Sequence, residues 1–425
     1  MLMKLFIAIL IMLAVLKITN LTFELSSKEV TVRKAPLIDI EYARTDAISY
    51  LNEIRSGIGM QKLARNGILN VAAKAHANYM LKNNESGHYE IKTHRGFTGE
   101  LPVDRVLKAG YLSMQVSENV SALSKNAHES INGLLSAIYH RFGFLSTTIN
   151  EVGVGIVQDE FDTDKTAFTY LMGNSDLNAL CSTKSFTKQG KYYRGCKDQN
   201  HYQKKEDVEY ALSYAKQINP DIIVYPYEEQ REVPPVFYAE DPDPLPDYDV
   251  SGFPISVEFN DYFYKNVTLL SFSLVDNDGN SVAVLSMDKK SDINQCFTKY
   301  QYAIFPLKRL DYNSKYYAKI VYRVDDEVKE KIWGFYTIRI QDEFYQMDKL
   351  YDELTIRPKQ HYVIYFPPVD EHDLLKKLQF PEGVDIQFLD HNTIRLTLMS
   401  KVISEDIEEF VLDTGVRKLR IKVDN

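Results

Sequence analysis

Long basic runs and recognisable nucleophile motifs are the features that this 425-residue sequence most clearly lacks. The formal net charge is −9, and no long run of Lys or Arg interrupts it. Binding of nucleic acid depends on neutralising phosphates with a basic patch, so nucleic acid is not expected as the main partner. No Ser, Cys or Thr stands in a pattern typical of an activated nucleophile, which argues against covalent catalysis.

Cysteine is scarce, with three residues in the whole chain. That number fits an oxidising compartment but excludes a disulfide-dense fold. Cys181 and Cys196 flank a turn-rich stretch, so we predict a disulfide between them, and a loop of that size gains about 3 kcal/mol in the chain-entropy model. Cys296 is left over, and the apolar residues near it predict a buried, inert thiol.

One uninterrupted apolar run opens the sequence, from Leu5 to Leu16 after the single charge of Lys4. About a dozen residues match the hydrophobic region of a signal peptide and are short for a membrane span. No small-x-small cleavage site is obvious after the run, so residues 1–22 are predicted to be a signal peptide or an uncleaved N-terminal anchor. Either predicts a secreted, periplasmic or cell-envelope protein that meets a membrane only through this segment, if it is uncleaved.

The length predicts two or three domains, and 44% hydrophobic residues suffice for their cores. Helical periodicity begins near Asp46, and a second helix after Asn66 places His76 on its buried face, as a core histidine with one nitrogen bonded. A further helix is predicted over 126–140, and strands over 153–158 and 167–172. Helices followed by strands indicate an α+β fold.

Prolines and acidic residues cluster between 234 and 254, which predicts a stiff acidic linker. Short alternating runs follow from Ile255 and predict an Ig-like antiparallel β-sandwich, with Trp333 most simply in its core. A small C-terminal unit is predicted to combine strands with a helix at 371–378. The predicted divisions after the N-terminal segment are 40–200, 201–252 (a helical segment and the linker), 253–340 and 341–425.

Several short motifs follow one another in the first unit, and their order is more specific than any one of them. They are Leu51-Asn52-Glu53-Ile54-Arg55, Ala72-Ala73-Lys74-Ala75-His76-Ala77, Gly87-His88-Tyr89, Asp104-Arg105 with Ala109-Gly110-Tyr111, Ser117-Glu118-Asn119-Val120, His140-Arg141 and Val152-Gly153-Val154-Gly155. In this order they resemble the CAP superfamily, also called the SCP or PR-1-like domain, and in particular its bacterial branch. The resemblance covers about residues 45–175.

The resemblance implies an α-β-α sandwich whose cavity is lined by two His and two acidic residues. Glu118 and His140 match one residue of each kind. The other His is either His88, which lies in the Gly-His-Tyr context, or His94, which has the more usual distance to the following Arg; we favour His88. The second acid is missing, because Ala137 stands at its position, and Glu129 is the nearest substitute.

Two imidazoles and one carboxylate can hold zinc with an open fourth position, so His88, Glu118 and His140 are a candidate zinc site. The leading hypothesis is an exported CAP protein that binds a small ligand or divalent metal in this cavity, with accessory β domains acting at the cell envelope. One alternative is a zinc-dependent hydrolase of peptide or cell-wall substrates with Glu118 as the base. Another is an adhesion or structural envelope protein with a vestigial cavity. A binding role is favoured over an enzymatic one.

Overall fold

The computed structural model describes residues 36–381, 384–398 and 408–424. The predicted N-terminal signal or anchor lies outside these residues. Of the helices within them, none combines the length and the apolar composition of a membrane span. The described residues from Pro36 onward belong to one compact unit.

The first half of the chain alternates helices with a four-stranded sheet. The helices are α1 (Ile40–Ile58), α2 (Gly67–Asn83), α3 (Pro102–Ala109), α4 (Ala127–Ser136), α5 (Ile138–Phe144), α6 (Ser175–Leu180) and α7 (Lys205–Gln217). The strands are β1 (Ala64–Arg65), β2 (Ser117–Ala122), β3 (Glu151–Gln158) and β4 (Thr166–Gly173), followed by the short pair β5 (Tyr192–Tyr193) and β6 (Gln203–Lys204). In the sheet the order is β1-β3-β4-β2, and only β1 and β3 run parallel.

Alternation along β3 builds the predicted α-β-α sandwich. Val152, Val154 and Ile156 face one side of the sheet and join a core with α1 and α4. Gly153 and Gly155 face the other side, where α2 crosses so closely that a Cβ on either glycine would lie 2.2 Å from the helix backbone. The two glycines therefore let the helix lie directly on the strand, as expected for glycine inside a strand.

The single helix predicted over 126–140 is in fact two. Ala137 has an extended backbone, with φ −67° and ψ 111°, which ends α4 and begins α5. His140 consequently lies in the first turn of a short second helix, not at the end of a long one. The predicted hydrophobic stripe did not show this break, because Ile138 continues the apolar pattern across it.

The second half of the chain forms a β-sandwich, as predicted. Its strands are β7 (Ile222–Tyr225), β8 (Gln230–Val233), β9 (Val236–Tyr238), β10 (Val250–Gly252), β11 (Ile255–Phe259), β12 (Val267–Asp276), β13 (Ser281–Val282), β14 (Val284–Met287), β15 (Gln301–Pro306), β16 (Lys315–Val324) and β17 (Glu327–Thr337). One sheet has the order β14-β15-β11-β7 and the other β13-β12-β16-β17-β8, whereas β9 and β10 form a separate pair. The prediction of a wholly antiparallel sandwich is wrong at one edge, because β8 pairs parallel with β17. Trp333 lies between the two sheets, fully buried, and its indole donates to the Pro226 carbonyl at 2.9 Å.

The sandwich shares a continuous core with the first half of the chain. Arg141 of α5 is buried at the junction and donates to the Pro254 carbonyl at 2.8 Å and to the Ser256 hydroxyl at 3.1 Å. Its guanidinium also stacks on the rings of Tyr225 and Phe253, at 4.9 and 5.0 Å from their centroids. A cation–π contact with an aromatic face stabilises a cation that has been removed from water.

The acidic stretch between 234 and 254 is packed, so its description as a linker lacking core residues is wrong. Strands β9 and β10 pair antiparallel within it, and Phe237, Leu245 and Val250 are buried. Phe237 and Leu245 join one buried hydrophobic cluster with Ile138 of α5 and with residues of the sandwich, and this packing fixes the position of the segment.

The C-terminal unit has a core of its own. Its strands are β18 (Glu343–Gln346), β19 (Tyr351–Ile356), β20 (His361–Tyr365), β21 (Val384–Asp390), β22 (Thr393–Leu398), β23 (Glu409–Asp413) and β24 (Lys418–Val423), in the orders β18-β20-β22-β21 and β19-β24-β23. The helix predicted at 371–378 is wrong: this segment begins with a turn and continues without regular secondary structure, and the Glu371 carbonyl accepts from the amides of Asp249 and Val250. These bonds to a distant strand replace the local bonds of a helix.

The predicted disulfide between Cys181 and Cys196 is confirmed, with a Cα–Cα distance of 5.5 Å. The prediction of a buried Cys296 is wrong, because this free thiol is exposed. Asp292 accepts hydrogen bonds from the amides of Cys296 and Phe297, and the resulting turn directs Phe297 into the core and Cys296 outward. Partial burial, together with the charges of Asp292 and Glu240, raises the pKa of the thiol.

Candidate functional site

Glu118 is a buried carboxylate held by a guanidinium. It lies on β2, and its two oxygens accept hydrogen bonds from Nη2 of Arg105, on α3, at 2.8 and 2.9 Å. The same Arg105 donates to the carbonyls of His88 and Gly99, at 3.0 and 3.2 Å. A charge-assisted pair with these additional bonds fixes both the acid and the loop that carries His88.

A second buried carboxylate, Glu90, shares the neighbours His76 and Arg105 with Glu118. His76 Nδ1 is 2.9 Å from Glu90 Oε1, and His76 Nε2 is 2.9 Å from the Gly87 carbonyl. His76 is thus the predicted core histidine, but both of its nitrogens are bonded where one was expected. Burial alone raises the pKa of Glu90, yet hydrogen bonds from His76 and Thr98 and the charge of Arg105 outweigh burial and place that pKa below its usual range.

His88 contacts Glu118, and the ring of His140 lies near the ring of His88. His88 Nδ1 lies 3.1 Å from Glu118 Oε1, and its ring stacks near that of His140 with 6.0 Å between centroids. The side chain of His88 is 37% exposed, whereas that of Glu118 is 1% exposed. Of these two side chains, solvent therefore reaches mainly His88. The two imidazoles, together with the buried carboxylate that His88 contacts, are named here the His88–His140 cleft.

His94, the other candidate histidine, lies elsewhere. Its Nδ1 is 2.8 Å from Glu85 and 3.3 Å from the Tyr79 hydroxyl. The loop from 84 to 101 therefore turns His88 toward Glu118 and His94 toward the end of α2.

Asn119 connects the strand to the second imidazole. Its side-chain amide donates to the His140 carbonyl at 2.8 Å, so the residue after the acid positions the helix that carries the histidine. The adjacent residues Glu118 and Asn119 therefore have different roles. Glu118 contacts the imidazole of His88, and Asn119 fixes the backbone of His140.

Glu240, from the acidic segment after β9, is the residue that sequence reasoning missed. Its Oε2 lies 3.4 Å from His140 Nδ1, and its Oε1 accepts from the Ile138 amide at 2.8 Å. Ala137 has no side chain that could cap α5, so a carboxylate more than a hundred residues away caps it. Ala137 stands where the family resemblance implies an acidic residue, and Glu240 instead provides a carboxylate next to His140.

Glu129 does not take this place, and its suggestion as the substitute acid is wrong. It is exposed in the first turn of α4, where its carboxylate accepts from the Lys125 amide at 2.8 Å. An acidic side chain is favoured there by the orphan amides of the helix N-terminus.

The donor set at the cleft does not fit a zinc ion. Both oxygens of Glu118 are bonded to Arg105, whose positive charge also opposes a divalent cation there. With Nδ1 of each imidazole facing a carboxylate, two Nε2 atoms remain, and catalytic zinc sites use three protein ligands. No group of three or more His, Cys, Asp or Glu able to hold a metal ion occurs in the part of the chain that the structure describes.

Comparisons with known proteins agree with the motif order. Residues 48–174 match the family model described as CAP, the cysteine-rich secretory protein family. Similar solved structures include an extracellular protein containing an SCP domain from Bacillus anthracis, with 22% identity over 32% of this chain and 44% of that one, at a TM-score of 0.28. An outer surface protein from Borrelia burgdorferi shares 18% identity over 32% of this chain and 95% of that one, at 0.28. A cysteine-rich secretory protein from Staphylococcus aureus shares 14% over 35% and 44%, at 0.26.

The matched region thus spans less than half of the Bacillus and Staphylococcus chains. A comparison with curated proteins gave no match.

Proposed function

Since residues 48–174 of this chain form a CAP domain, we propose that the protein is exported and binds a small ligand in the His88–His140 cleft. The sandwich and the C-terminal unit then act as accessory modules at the cell envelope. Export is supported by the disulfide between Cys181 and Cys196, because such bonds persist in oxidising compartments.

The observation that carries this proposal is the orientation of the two imidazoles. Each ring has Nδ1 next to a carboxylate, Glu118 for His88 and Glu240 for His140. A carboxylate can only accept, so Nδ1 carries the proton and a neutral ring leaves Nε2 as an acceptor. The cleft therefore suits a ligand that donates hydrogen bonds, such as one bearing hydroxyl or amino groups.

Glu118 supports binding better than hydrolysis. A general base must reach the proton it removes with a free oxygen. Both oxygens of Glu118 are instead bonded to Arg105, and the carboxyl group is buried. Its role in the proposal is to hold His88.

A thermal-shift screen on the full chain tests the proposal. Small polyols, amines, amino sugars and zinc chloride are added to the wild type and to the single variants His88→Ala, His140→Ala and His94→Ala. A ligand at 100 times its Kd stabilises the folded state by about 2.7 kcal/mol, which such a screen detects. We expect a donor-rich compound to stabilise the wild type and His94→Ala but neither of the other variants.

His94→Ala is the matched control, because it removes a partly exposed imidazole of the same loop that lies outside the cleft. A compound that stabilised all four proteins equally would bind elsewhere. Zinc binding lost in both cleft variants would instead favour a metal site.

A further inference from the structure

A basic and aromatic surface is formed by the segment between α6 and α7, which contains the disulfide. Within residues 184–205, named here the 184–205 loop, seven residues are Lys or Arg and one is acidic, in a chain whose formal net charge is −9. The basic residues are Lys184, Lys188, Lys191, Arg194, Lys197, Lys204 and Lys205. Apart from the adjacent Lys204 and Lys205 they are spaced along the sequence and form no long run, and the fold brings Lys184, Lys188 and Lys204 to one cleft.

This surface is held by covalent and backbone bonds. The disulfide ties Cys181 to Cys196, and β5 pairs with β6. Two further bonds fix the loop to the CAP domain, from the Met114 amide to the Gly195 carbonyl at 2.7 Å and from the Lys197 amide to the Leu112 carbonyl at 2.8 Å. A surface already ordered loses less entropy when it binds a partner.

Most of these cations have no acidic partner. Lys204 and Lys205 lie 3.7 and 2.8 Å from Glu206 and Glu209. Among the residues described, no carboxylate lies within 4 Å of the other five, all of which are solvent-accessible. Like charges gathered without counter-charges repel each other, so the surface is complementary to an anion.

The loop also encloses a cleft of about 620 Å³. Lys184, Lys188 and Lys204 line it together with the rings of Phe186 and Tyr202, and Asp207 is its one acidic residue. Arg194 lies beside the cleft, with its guanidinium 4.9 Å from the centre of the Tyr202 ring. Three lysines and two aromatic residues thus line the same cleft.

We propose that the 184–205 loop binds an acidic polysaccharide, a chain of sugar rings that carry carboxylates. Ammonium groups pair with the carboxylates, and the faces of Phe186 and Tyr202 pack on the apolar faces of the sugar rings. A polymer rather than a single sugar fits the cations that continue outside the cleft, at Lys191 and Lys197. Export, as proposed above, would bring this surface to extracellular polysaccharides, and the proposal rests on it in this respect.

Binding of the full chain to polygalacturonate, with neutral dextran as the control polymer, tests this proposal. The triple variant Lys184→Gln, Lys188→Gln, Lys191→Gln should bind at least about tenfold more weakly at low salt, because each exposed charge contributes severalfold. Wild-type binding should also weaken as salt rises.

A matched control removes three exposed lysines of the sandwich, as Lys289→Gln, Lys290→Gln, Lys308→Gln, and should bind within about twofold of the wild type. Phe186→Ala tests the ring contact and should weaken polygalacturonate binding while leaving the salt dependence unchanged. The thermal midpoint of each variant shows whether it is folded.

Equal binding by the wild type and the first triple variant would overturn the proposal, as would equal binding to dextran. Tighter binding of single-stranded DNA or inorganic polyphosphate than of polygalacturonate would assign the surface to a phosphate polymer instead. The triple variant should keep the response of the His88–His140 cleft to its ligands, so failure of one proposal is distinguishable from failure of the other.

Discussion

Replacement of Glu240 tests the most unexpected contact in the molecule, the capping of α5 from the acidic segment. The Glu240 side chain is 9% exposed, and its Oε1 accepts from the Ile138 amide at 2.8 Å. Glu240→Ala leaves that amide without an acceptor in a largely buried position, which costs about 1–3 kcal/mol. Loss of a helix N-cap falls in the same range, at about 0.5–2 kcal/mol, and describes the same bond. We therefore expect Glu240→Ala to lower the stability of the folded structure around Ile138 by about 2 kcal/mol.

Glu240→Gln separates the bond from the charge. Its amide oxygen still accepts from Ile138, so the remaining loss is the interaction of a negative charge with the helix N-terminus, about 0.3–1 kcal/mol. The alanine variant should thus be more destabilised than the glutamine variant. Its His140 should also lose a partner at Nδ1, which weakens ligand binding in the cleft.

Amide hydrogen exchange measures the effect at Ile138 itself and does not require unfolding to be two-state. A loss of 2 kcal/mol corresponds to exchange about 30 times faster. Asp247→Ala is the matched control, since Asp247 is an exposed acid of the same segment. Equal protection of Ile138 in Glu240→Ala and Asp247→Ala would refute the reasoning.

Two further predictions concern the fold. Gly153→Ala should destabilise the CAP domain by about 1–3 kcal/mol or more, because the new Cβ would lie 2.2 Å from the backbone of α2. Gly67→Ala is the control: its Cβ would meet open space, so the variant should be neutral or slightly more stable than the wild type. Midpoints of urea unfolding compare the two variants. Burial raises the pKa of Glu258 from about 4.5 to about 7, although Gln301 donates to it. The folded state therefore keeps a proton that the unfolded state releases, and stability falls as pH rises from about 4.5 to about 7. Glu258→Gln should unfold like the wild type at pH 4 but be more stable at pH 8, by up to about 3 kcal/mol; an equal difference at both pH values would contradict the assignment.

Local patterns in the sequence were sufficient wherever the deciding interactions are short-ranged or periodic. The alternation from Ile255 onward predicted the sandwich strands and the burial of Trp333, and the spacing of Cys181 and Cys196 predicted their disulfide. The motif order predicted the CAP domain and drew attention to Glu118 and His140.

The tertiary structure alone decided the contacts that join distant parts of the chain. The apolar pattern ran through Ala137, and only the bond from the Ile138 amide to Glu240 shows where α5 begins. Cys296 lies among apolar residues in sequence, yet a turn around Asp292 places it outside. The same holds for the choice of His88 over His94, since both lie in one irregular loop. Glu240 and Glu118 are remote in sequence from Ile138 and His88, and the turn at Asp292 is local but irregular, so hydrophobic periodicity carries no information about any of these contacts.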